Sequence, residues 1–313
     1  MKILLKSWFR QKKIVSLQIV AIRLAFYKPN KRKMSKNIFS TIDTNFLRSD
    51  IEISHAIKVM RAKVAAYILD NQLKSLVLGV SGGVDSAFAA ALLRPVCDYT
   101  NTRLIGRSIT IETNQQDEIE RSIAVGSHFC HDFAHLDYTD LYLQHKQKLP
   151  EINDQMLSKL RMGNCKARLR MICLYDLAQL HHGIVISSDN FTEYLTGFWT
   201  LHGDVGDYAP FLHLWKTEVY HAARFLCKQL TKQQSTILSA CINAVPTDGL
   251  GISSSDLEQL GVESYEEADK ILASYLEGNT ELESHQLIKR FISSEYKRKI
   301  PIAISRFSLF QQN

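Results

Sequence analysis

The sequence predicts an α/β fold, with a mainly parallel sheet and helices on both of its faces. Two observations lead to this prediction. Short apolar runs alternate with segments of helical periodicity, and the first such run ends in a glycine-rich turn that leads directly into a helix-forming segment. A strand, a helix and a further strand in succession form the βαβ unit, in which the two strands run parallel. Such sheets bind their ligands at the carboxyl ends of the strands.

Each element follows from a local pattern. Residues 54–72 place apolar side chains at helical spacing, and residues 75–80 form a short apolar run that suits a buried parallel strand. The run SAFAAALL at 86–93 consists mostly of strong helix formers. The alternation continues with a strand, a helix, a long helix and another strand, predicted over residues 102–111, 115–129, 164–181 and 183–187, respectively.

Composition indicates an ordinary globular protein with a mildly acidic body. Of the 313 residues, 45% are hydrophobic and 22% are charged, which excludes a disordered or collagen-like chain. The formal net charge is +6, but residues 1–33 hold ten Lys/Arg and no Asp/Glu, which leaves 28 basic and 32 acidic residues in the remainder. We therefore expect no nucleic-acid partner. The six cysteines are scattered without a CxxC pair, as expected for a protein of the reducing cytoplasm.

Residues 1–45 are predicted to be a basic N-terminal extension, and residues 46–313 a single domain. The apolar stretch at 14–27 is interrupted by a glutamine and an arginine and is too short to cross a bilayer, so no membrane partner is expected. Three interpretations of the extension stay open: a non-native start ahead of Met34, an organellar targeting segment, or a helix that binds a surface.

The most informative segment is the turn between the first predicted strand and its helix, LVLGVSGGVDSAFAA. A Walker-type phosphate loop needs a lysine at the start of the helix, where this chain has Asp85 and Ser86. A nucleophile elbow is an alternative, because Gly79, Ser81 and Gly83 fit the GxSxG pattern of α/β-hydrolases.

A third interpretation of this turn is an anion-binding nest. Gly82 and Gly83 at a helix N-terminus would point backbone N–H groups at a pyrophosphate, with the hydroxyls of Ser81 and Ser86 as further donors. Asp85 would repel a phosphate unless a divalent cation lay between them, and Mg²⁺ prefers carboxylate and phosphate oxygens. The turn then predicts binding of a nucleotide together with magnesium.

The loop SGGVDS at 81–86 resembles the pyrophosphate loop of the ATP pyrophosphatases, which cleave ATP between its α and β phosphates to adenylate a substrate. Within that superfamily, the run from 162 to 210 is similar to the ammonia-dependent NAD synthetases, and so are WKTEVY at 215–220, VPTDGL at 245–250 and SEYKRKIP at 294–301. The resemblance implies a Rossmann-like, adenine nucleotide alpha hydrolase-like fold. It also implies ATP-dependent amidation of deamido-NAD through an acyl-adenylate, with ammonia as nitrogen donor.

The resemblance further implies roles for individual residues. Lys216 looks like a phosphate-binding lysine, and Thr247 like the threonine of a loop that closes over ATP. Asp204 resembles an aspartate that binds ammonium and helps to release ammonia. The implied magnesium ligands are Asp85 and Glu193, and the implied deamido-NAD contacts are Arg168, Asp207, Tyr296 and Lys297. The implied ATP contacts are Gly79, Val80, Ser81, Gly82, Gly83, Val84, Asp85, Ser86, Ser188, Lys216 and Thr247.

Some positions depart from the family pattern. SDN at 188–190 stands where most bacterial members have TDH, Leu201 replaces a lysine, and Tyr296 replaces a frequent histidine. The GDVGD loop is one residue shorter than the common form. Leu201 removes a cation that the resemblance places near deamido-NAD, and His202 and Lys297 are candidates to replace it.

No segment resembles a glutaminase or nitrilase-like domain, so the resemblance implies free ammonia as the nitrogen source. The family is homodimeric with its sites near the interface, and a homodimer is therefore expected. Two other functions stay open: a tRNA-modifying ATP pyrophosphatase, which would bind RNA, and a serine hydrolase that uses Ser81.

Overall fold

Four parallel strands form the sheet of the protein, in the order β3-β2-β1-β4. The computed structural model describes residues 43–112, 114–246, 255–306 and 309–310. Its strands are β1 Ser75–Gly79, β2 Arg103–Thr110, β3 Asp132–Asp137 and β4 Gly183–Ile186. Leu78 of β1 pairs in register with Gly106 of β2 on one side and with Ile186 of β4 on the other. The predicted α/β fold with parallel strands is confirmed.

Helices connect the strands and cover the sheet. The α-helices of the described residues are α1 Asp50–Asp70, α2 Val84–Thr100, α3 Gln116–Phe129, α4 Thr139–Lys146, α5 Gln155–Leu180, α6 Phe191–Thr196, α7 Lys216–Cys227, α8 Lys232–Ile242, α9 Asp256–Leu260, α10 Tyr265–Leu276 and α11 Gln286–Ser293. Two 3₁₀ helices, Thr280–Ser284 and Glu295–Lys299, flank α11. Across these residues, no helix combines the length and the apolar character needed to traverse a bilayer.

The two faces of the sheet have separate cores. Leu76 and Leu78 of β1 are buried in a cluster that includes residues of α1, α2 and α7. Val77 belongs to a second cluster, with Met171 and Leu174 of α5. Because successive side chains of a strand point to opposite faces, the unbroken apolar run of β1 is what a strand buried on both faces requires.

Two helices differ in extent from the sequence prediction because capping and packing decide their ends. α1 begins at Asp50 rather than at 54, since the hydroxyl of Ser49 accepts the N–H of Glu52 and the Glu52 carboxylate accepts the N–H of Ser49. α2 continues beyond 93 and through Pro95, because its later residues, Val96 among them, are buried in the core.

The structure contains two features that the sequence does not predict, the strand β3 and the first turns of α5. β3 is an edge strand whose sequence DFAHLD has no buried position and no apolar run. α5 starts at Gln155 instead of 164, because the carboxylate of Asp154 accepts the N–H of Leu157 and caps the helix. From Thr44 onward the chain forms one compact unit, whereas the predicted extension 1–45 lies almost entirely outside the described residues.

Candidate active site

The carboxyl ends of β1, β2 and β4 open into a cavity of about 730 Å³. The loop after β1, the loop after β4, residues of α5 and the segment from α11 into the second 3₁₀ helix contribute to its lining. This is the position at which parallel α/β sheets bind their ligands. The cavity therefore joins segments that are far apart in the sequence.

The loop after β1 has the geometry of an anion-binding nest. Gly82 has a φ of +84°, in the left-handed region that favours glycine, and a Cβ at this position would lie 2.5 Å from the carbonyl oxygen of Glu118. Arg121 Nε donates to the carbonyl of Gly82 over 3.2 Å and ties the loop to α3. Gly83 is the N-cap of α2 and offers no side chain to the first N–H groups of that helix, which suits an anionic ligand.

The two serines of the loop bond to each other rather than to a base. The hydroxyl oxygens of Ser81 and Ser86 are 3.1 Å apart, and the N–H of Gly83 donates to Ser81 Oγ over 3.3 Å. No histidine occurs among the described residues that line the cavity. A serine hydrolase needs such a base next to its nucleophile, so this geometry disfavours hydrolase chemistry at Ser81.

Three charged side chains from different elements meet beside the loop. Lys216 Nζ lies 2.5 Å from Asp85 Oδ2 and 3.0 Å from Glu193 Oε1, and the Lys216 side chain is only 3% exposed. Asn190 donates its Nδ2 to Asp85 Oδ1 over 2.9 Å, and its Oδ1 accepts the N–H of Glu193 at the start of α6. The Asn190 amide thus links the two carboxylate segments, because it can donate and accept at once.

The charges of this group depend strongly on one another. Burial raises the pKa of the Glu193 carboxyl to about 7, although the ammonium of Lys216 acts in the opposite direction. Burial by itself would lower the pKa of Lys216, but Asp85 and Glu193 outweigh it and hold that pKa well above its usual value. A single ammonium therefore faces two carboxylates, and a further cation would be stabilised here.

Magnesium fits the donor chemistry of this group. The ion is commonly held by one or two carboxylates together with substrate phosphates. Asp85 and Glu193 lie within hydrogen-bond distance of the same Nζ atom, next to the phosphate nest. The parts of the chain that the structure covers contain no cluster of three or more acidic, histidine or cysteine ligands, so phosphate oxygens and water would complete the coordination.

Two further aspartates line the cavity. The carboxylate of Asp204 accepts the N–H of Thr200 at 2.8 and 3.0 Å, and burial raises the pKa of Asp204 to about 7 against this hydrogen bond. Asp189 accepts the hydroxyl of Ser187 over 2.6 Å, and burial, followed by the nearby charge of Asp204, raises the Asp189 pKa. A carboxyl that titrates near neutral pH can hold an ammonium ion and accept a proton from it.

The C-terminal segment adds two cations to the cavity wall. Lys297 donates its Nζ to the carbonyls of Gly197, over 2.7 Å, and of Trp199. Arg290 of α11 donates its Nε to the carbonyl of Thr196 over 3.1 Å. Arg290 therefore holds the last residue of α6, and Lys297 holds the segment between α6 and Asp204.

The cavity gathers most of the residues that the sequence predicts for the site. Gly82 does not line the cavity, because its Cα faces the backbone of α3. Thr247 lies outside the described residues. The predicted residues that line the cavity are Gly79, Val80, Ser81, Gly83, Val84, Asp85, Ser86, Ser188, Glu193, Asp204, Lys216, Tyr296 and Lys297.

Arg168 and Asp207 lie outside the lining of this cavity. Arg168 is exposed on α5 and donates its Nε to the carbonyl of Leu201 over 3.1 Å. Asp207 joins β4 to α5, because its carboxylate accepts the N–H of Val185 over 2.9 Å and the hydroxyl of Tyr175 over 3.0 Å. Their roles toward deamido-NAD stay predictions.

Arg170 lines the cavity but is absent from the predicted site residues. Its Nε donates to the carbonyl of Ile109 over 2.9 Å, and its Nη2 donates to Asn114 Oδ1 over 3.0 Å. Residues two apart on a helix point about 200° apart, so the two arginines cannot share one side of α5. The sequence does carry a signal for Arg170: Ala167, three residues before it, and Leu174, four residues after it, are apolar and mark this side of α5 as the buried one.

Known proteins resemble this chain in sequence and in fold. Residues 56–301 match the sequence model of the family described as NAD synthase. The chain is 33% identical over 229 residues to an NH(3)-dependent NAD(+) synthetase of Finegoldia magna, which covers 72% of this chain and 86% of that protein. A solved NMN synthetase from Francisella tularensis superimposes with a TM-score of 0.66 at 23% identity, over 80% of this chain and 98% of that one. An NH3-dependent NAD synthetase from Campylobacter jejuni gives a TM-score of 0.61 at 20% identity, over 81% and 99% of the two chains.

Proposed function

The chain belongs to the NAD synthase family, and from that premise we propose that it amidates deamido-NAD to NAD. ATP is the co-substrate and ammonia the nitrogen donor, and AMP and pyrophosphate leave. The enzyme is a ligase that forms a C–N bond through an acyl-adenylate. The observation that carries this proposal is the cavity at the carboxyl ends of the strands, which combines a phosphate nest, a buried group of one lysine and two carboxylates, and a carboxyl suited to ammonium.

The chemistry of the reaction explains why charged side chains line the cavity. A carboxylate is a poor acyl donor, because it is anionic and its oxygen is a poor leaving group. Transfer of an adenylyl group from ATP to the nicotinate carboxylate supplies AMP as a leaving group. Two anions must approach each other in that step, so positive charge placed where they meet stabilises the transition state.

Positive charge at that point comes from Lys216 and from the backbone N–H groups at the start of α2. Asp85 and Glu193 hold the ammonium of Lys216 in place while it faces the phosphates. Asp85 and Glu193 would also hold the magnesium ion, which when bound would neutralise phosphate charge.

Asp204 supports the second half of the reaction. Its carboxylate opens to the cavity and would bind ammonium, accept one proton and leave ammonia to attack the acyl carbon. The hydrogen bond from the N–H of Thr200 fixes the orientation of that carboxylate.

We further propose a homodimer that pairs through α5. Its exposed side carries Leu157, Leu160, Ile172 and Tyr175 at helical spacing, with Arg168 between them. Exposed apolar side chains on one side of a helix favour packing of that side against another protein surface. A second copy seated here would meet Arg168 and bring the dinucleotide contacts predicted for this residue into the assembled site.

Sedimentation velocity tests the dimer. I172D should convert a dimer into a monomer, whereas I51D, which changes an isoleucine that is 82% exposed on α1, should leave it a dimer. A wild-type monomer at micromolar concentration would refute the proposal.

Cytoplasmic location is the remaining part of the proposal. The six cysteines are free thiols, which suits a reducing compartment.

Product analysis tests the function directly. The chain is incubated with deamido-NAD, ATP, ammonium and Mg²⁺, and nucleotides are separated by chromatography and identified by mass. We expect equimolar NAD and AMP with pyrophosphate. Release of ADP, or no NAD at all, would overturn the proposal, and ATP-dependent modification of tRNA would instead favour the tRNA-modifying alternative. K216M should abolish product formation, while K228M, which alters an exposed lysine, should retain it.

A further inference from the structure

Arg290 is a half-buried cation of the cavity wall that none of the assigned roles explains. Its guanidinium lies over the ring of Phe198, 4.9 Å from the ring centre, and its Nε donates to the carbonyl of Thr196 over 3.1 Å. An arginine has five N–H donors, of which this contact uses one. The four N–H groups of Nη1 and Nη2 meet no hydrogen-bond acceptor in the described part of the chain.

No carboxylate of the described residues forms an ion pair with this charge. Within the described ranges, Arg290 forms no ion pair with any acidic side chain, and Lys297 forms none either. Partial burial lowers the pKa of Lys297, and Arg290 is close enough to lower it further, while the charge of Asp204 acts in the opposite direction. Two neighbouring half-buried cations repel each other, so an anion bound between them would be stabilised.

A neighbouring donor is also unsatisfied. The indole Nε1 of Trp199 is buried and has no acceptor among the described residues, and Lys297 Nζ lies over the Trp199 ring, 5.4 Å from its centre. Buried donors without a partner are rare in folded proteins and usually indicate a missing ligand, ion or water. This one donor lies beside Lys297 and on the wall of the same cavity.

We propose that Arg290 and Lys297 form an anion seat that binds an anionic oxygen group of the substrate carrying the acyl group. This inference rests on the proposed function. The shared chemistry is an oxyanion held by a fixed guanidinium and an ammonium, which a phosphate and the nicotinate carboxylate both satisfy. Leu201 provides no charge, and neither it nor His202 lines the cavity, so Arg290 supplies the second cation near Lys297.

Steady-state kinetics with the full chain tests the seat. R290Q should raise the KM for deamido-NAD about 10- to 100-fold, the cost of losing charge-assisted hydrogen bonds, with the KM for ATP within about twofold of wild type. R290K keeps the charge and should recover most of the loss. R298Q is the matched control, because Arg298 is half-buried like Arg290 and donates to the carbonyls of Leu195 and Phe291 but does not line the cavity.

Two further ligands identify the anion that is bound. NAD contains the pyrophosphate but no carboxylate, and nicotinate mononucleotide contains one phosphate and the carboxylate. If the seat holds a phosphate, R290Q weakens inhibition by NAD as much as it raises the KM for deamido-NAD. If the seat holds the carboxylate, inhibition by NAD is unchanged while both carboxylate ligands bind more weakly.

Two results would overturn the inference. In one, R290Q leaves the KM for deamido-NAD unchanged. In the other, R298Q and R290Q raise this KM equally and R290K gives no recovery, which would assign Arg290 a purely structural role at Thr196. A wild-type chain without turnover would instead refute the proposed function, so the two failures are distinguishable.

Discussion

Replacement of Lys216 by methionine should destabilise the protein far more than replacement of an exposed lysine. Lys216 is 3% exposed and pairs with two carboxylates, Asp85 and Glu193, whose side chains are only 18% and 16% exposed. Methionine keeps the volume but removes the ammonium, and the two carboxylates then face each other without compensation. Breaking a buried pair in this way costs about 3–5 kcal/mol of unfolding free energy.

Differential scanning fluorimetry in EDTA at pH 7.5 measures this loss. A domain of this size loses about 2–4 °C of Tm per kcal/mol, so we expect a decrease of about 6–20 °C for K216M. K228M is the control, because Lys228 pairs with Asp50 at a similar distance, 2.6 Å, but both side chains are exposed. An exposed pair contributes at most about 1 kcal/mol, so the control should lose only a few degrees.

Two further measurements link the stability loss to the carboxylates. The double variant E193Q/K216M should be more stable than K216M, because it removes one of the two unpaired charges. Mg²⁺ should raise the Tm of K216M more than that of the wild type, because the ion can take over the compensating role of the ammonium. If K216M melts within about 1 °C of the wild type in EDTA, the electrostatic reasoning is wrong.

Two other predictions follow from the loop and from the ammonium site. G82A should lower the unfolding free energy by about 1–3 kcal/mol and raise the KM for ATP, because Gly82 has a φ of +84° and the new Cβ would meet the Glu118 carbonyl. G278A is the control, because Gly278 has a φ of +109° but open space around it, so this variant should suffer only the backbone strain. Equal losses of unfolding free energy in chemical denaturation would contradict this reasoning. At constant ammonium concentration, kcat/KM for ammonium should rise with pH through an apparent pKa near 7 and level off above it, since Asp204 must lose its proton before it can accept one. D204N should remove this dependence and lower kcat by about 10²- to 10⁴-fold, and an unchanged pH profile would exclude Asp204 as the base.

The parts of the site that depend on short stretches of sequence could be predicted, and those that depend on distant contacts could not. The loop from Ser81 to Ser86 is local, because a buried strand, two glycines and a helix start determine its geometry together. Arg290 has no such signal. Its partner Thr196 lies 94 residues earlier in the chain, and only the packing of α11 against α6 brings them together.

The same distinction holds for the fold. The apolar run of β1 predicts a strand because both of its faces are buried, whereas β3 lies at the edge of the sheet and needs few apolar residues. The role of Asn190 also depends on tertiary structure. Its amide looks like the loss of a titratable ring in the sequence, and the structure shows it joining Asp85 to the start of α6.

The separation of Asp85 from its partner Lys216, 131 residues further along the chain, has a consequence for synthesis on the ribosome. The glycine loop emerges early, but a nascent chain cannot complete the pocket until the start of α7 has left the exit tunnel and β4 has docked beside β1. Stalled or truncated chains would therefore lack tight affinity for ATP. Retention on an immobilised nucleotide would separate finished molecules from incomplete ones.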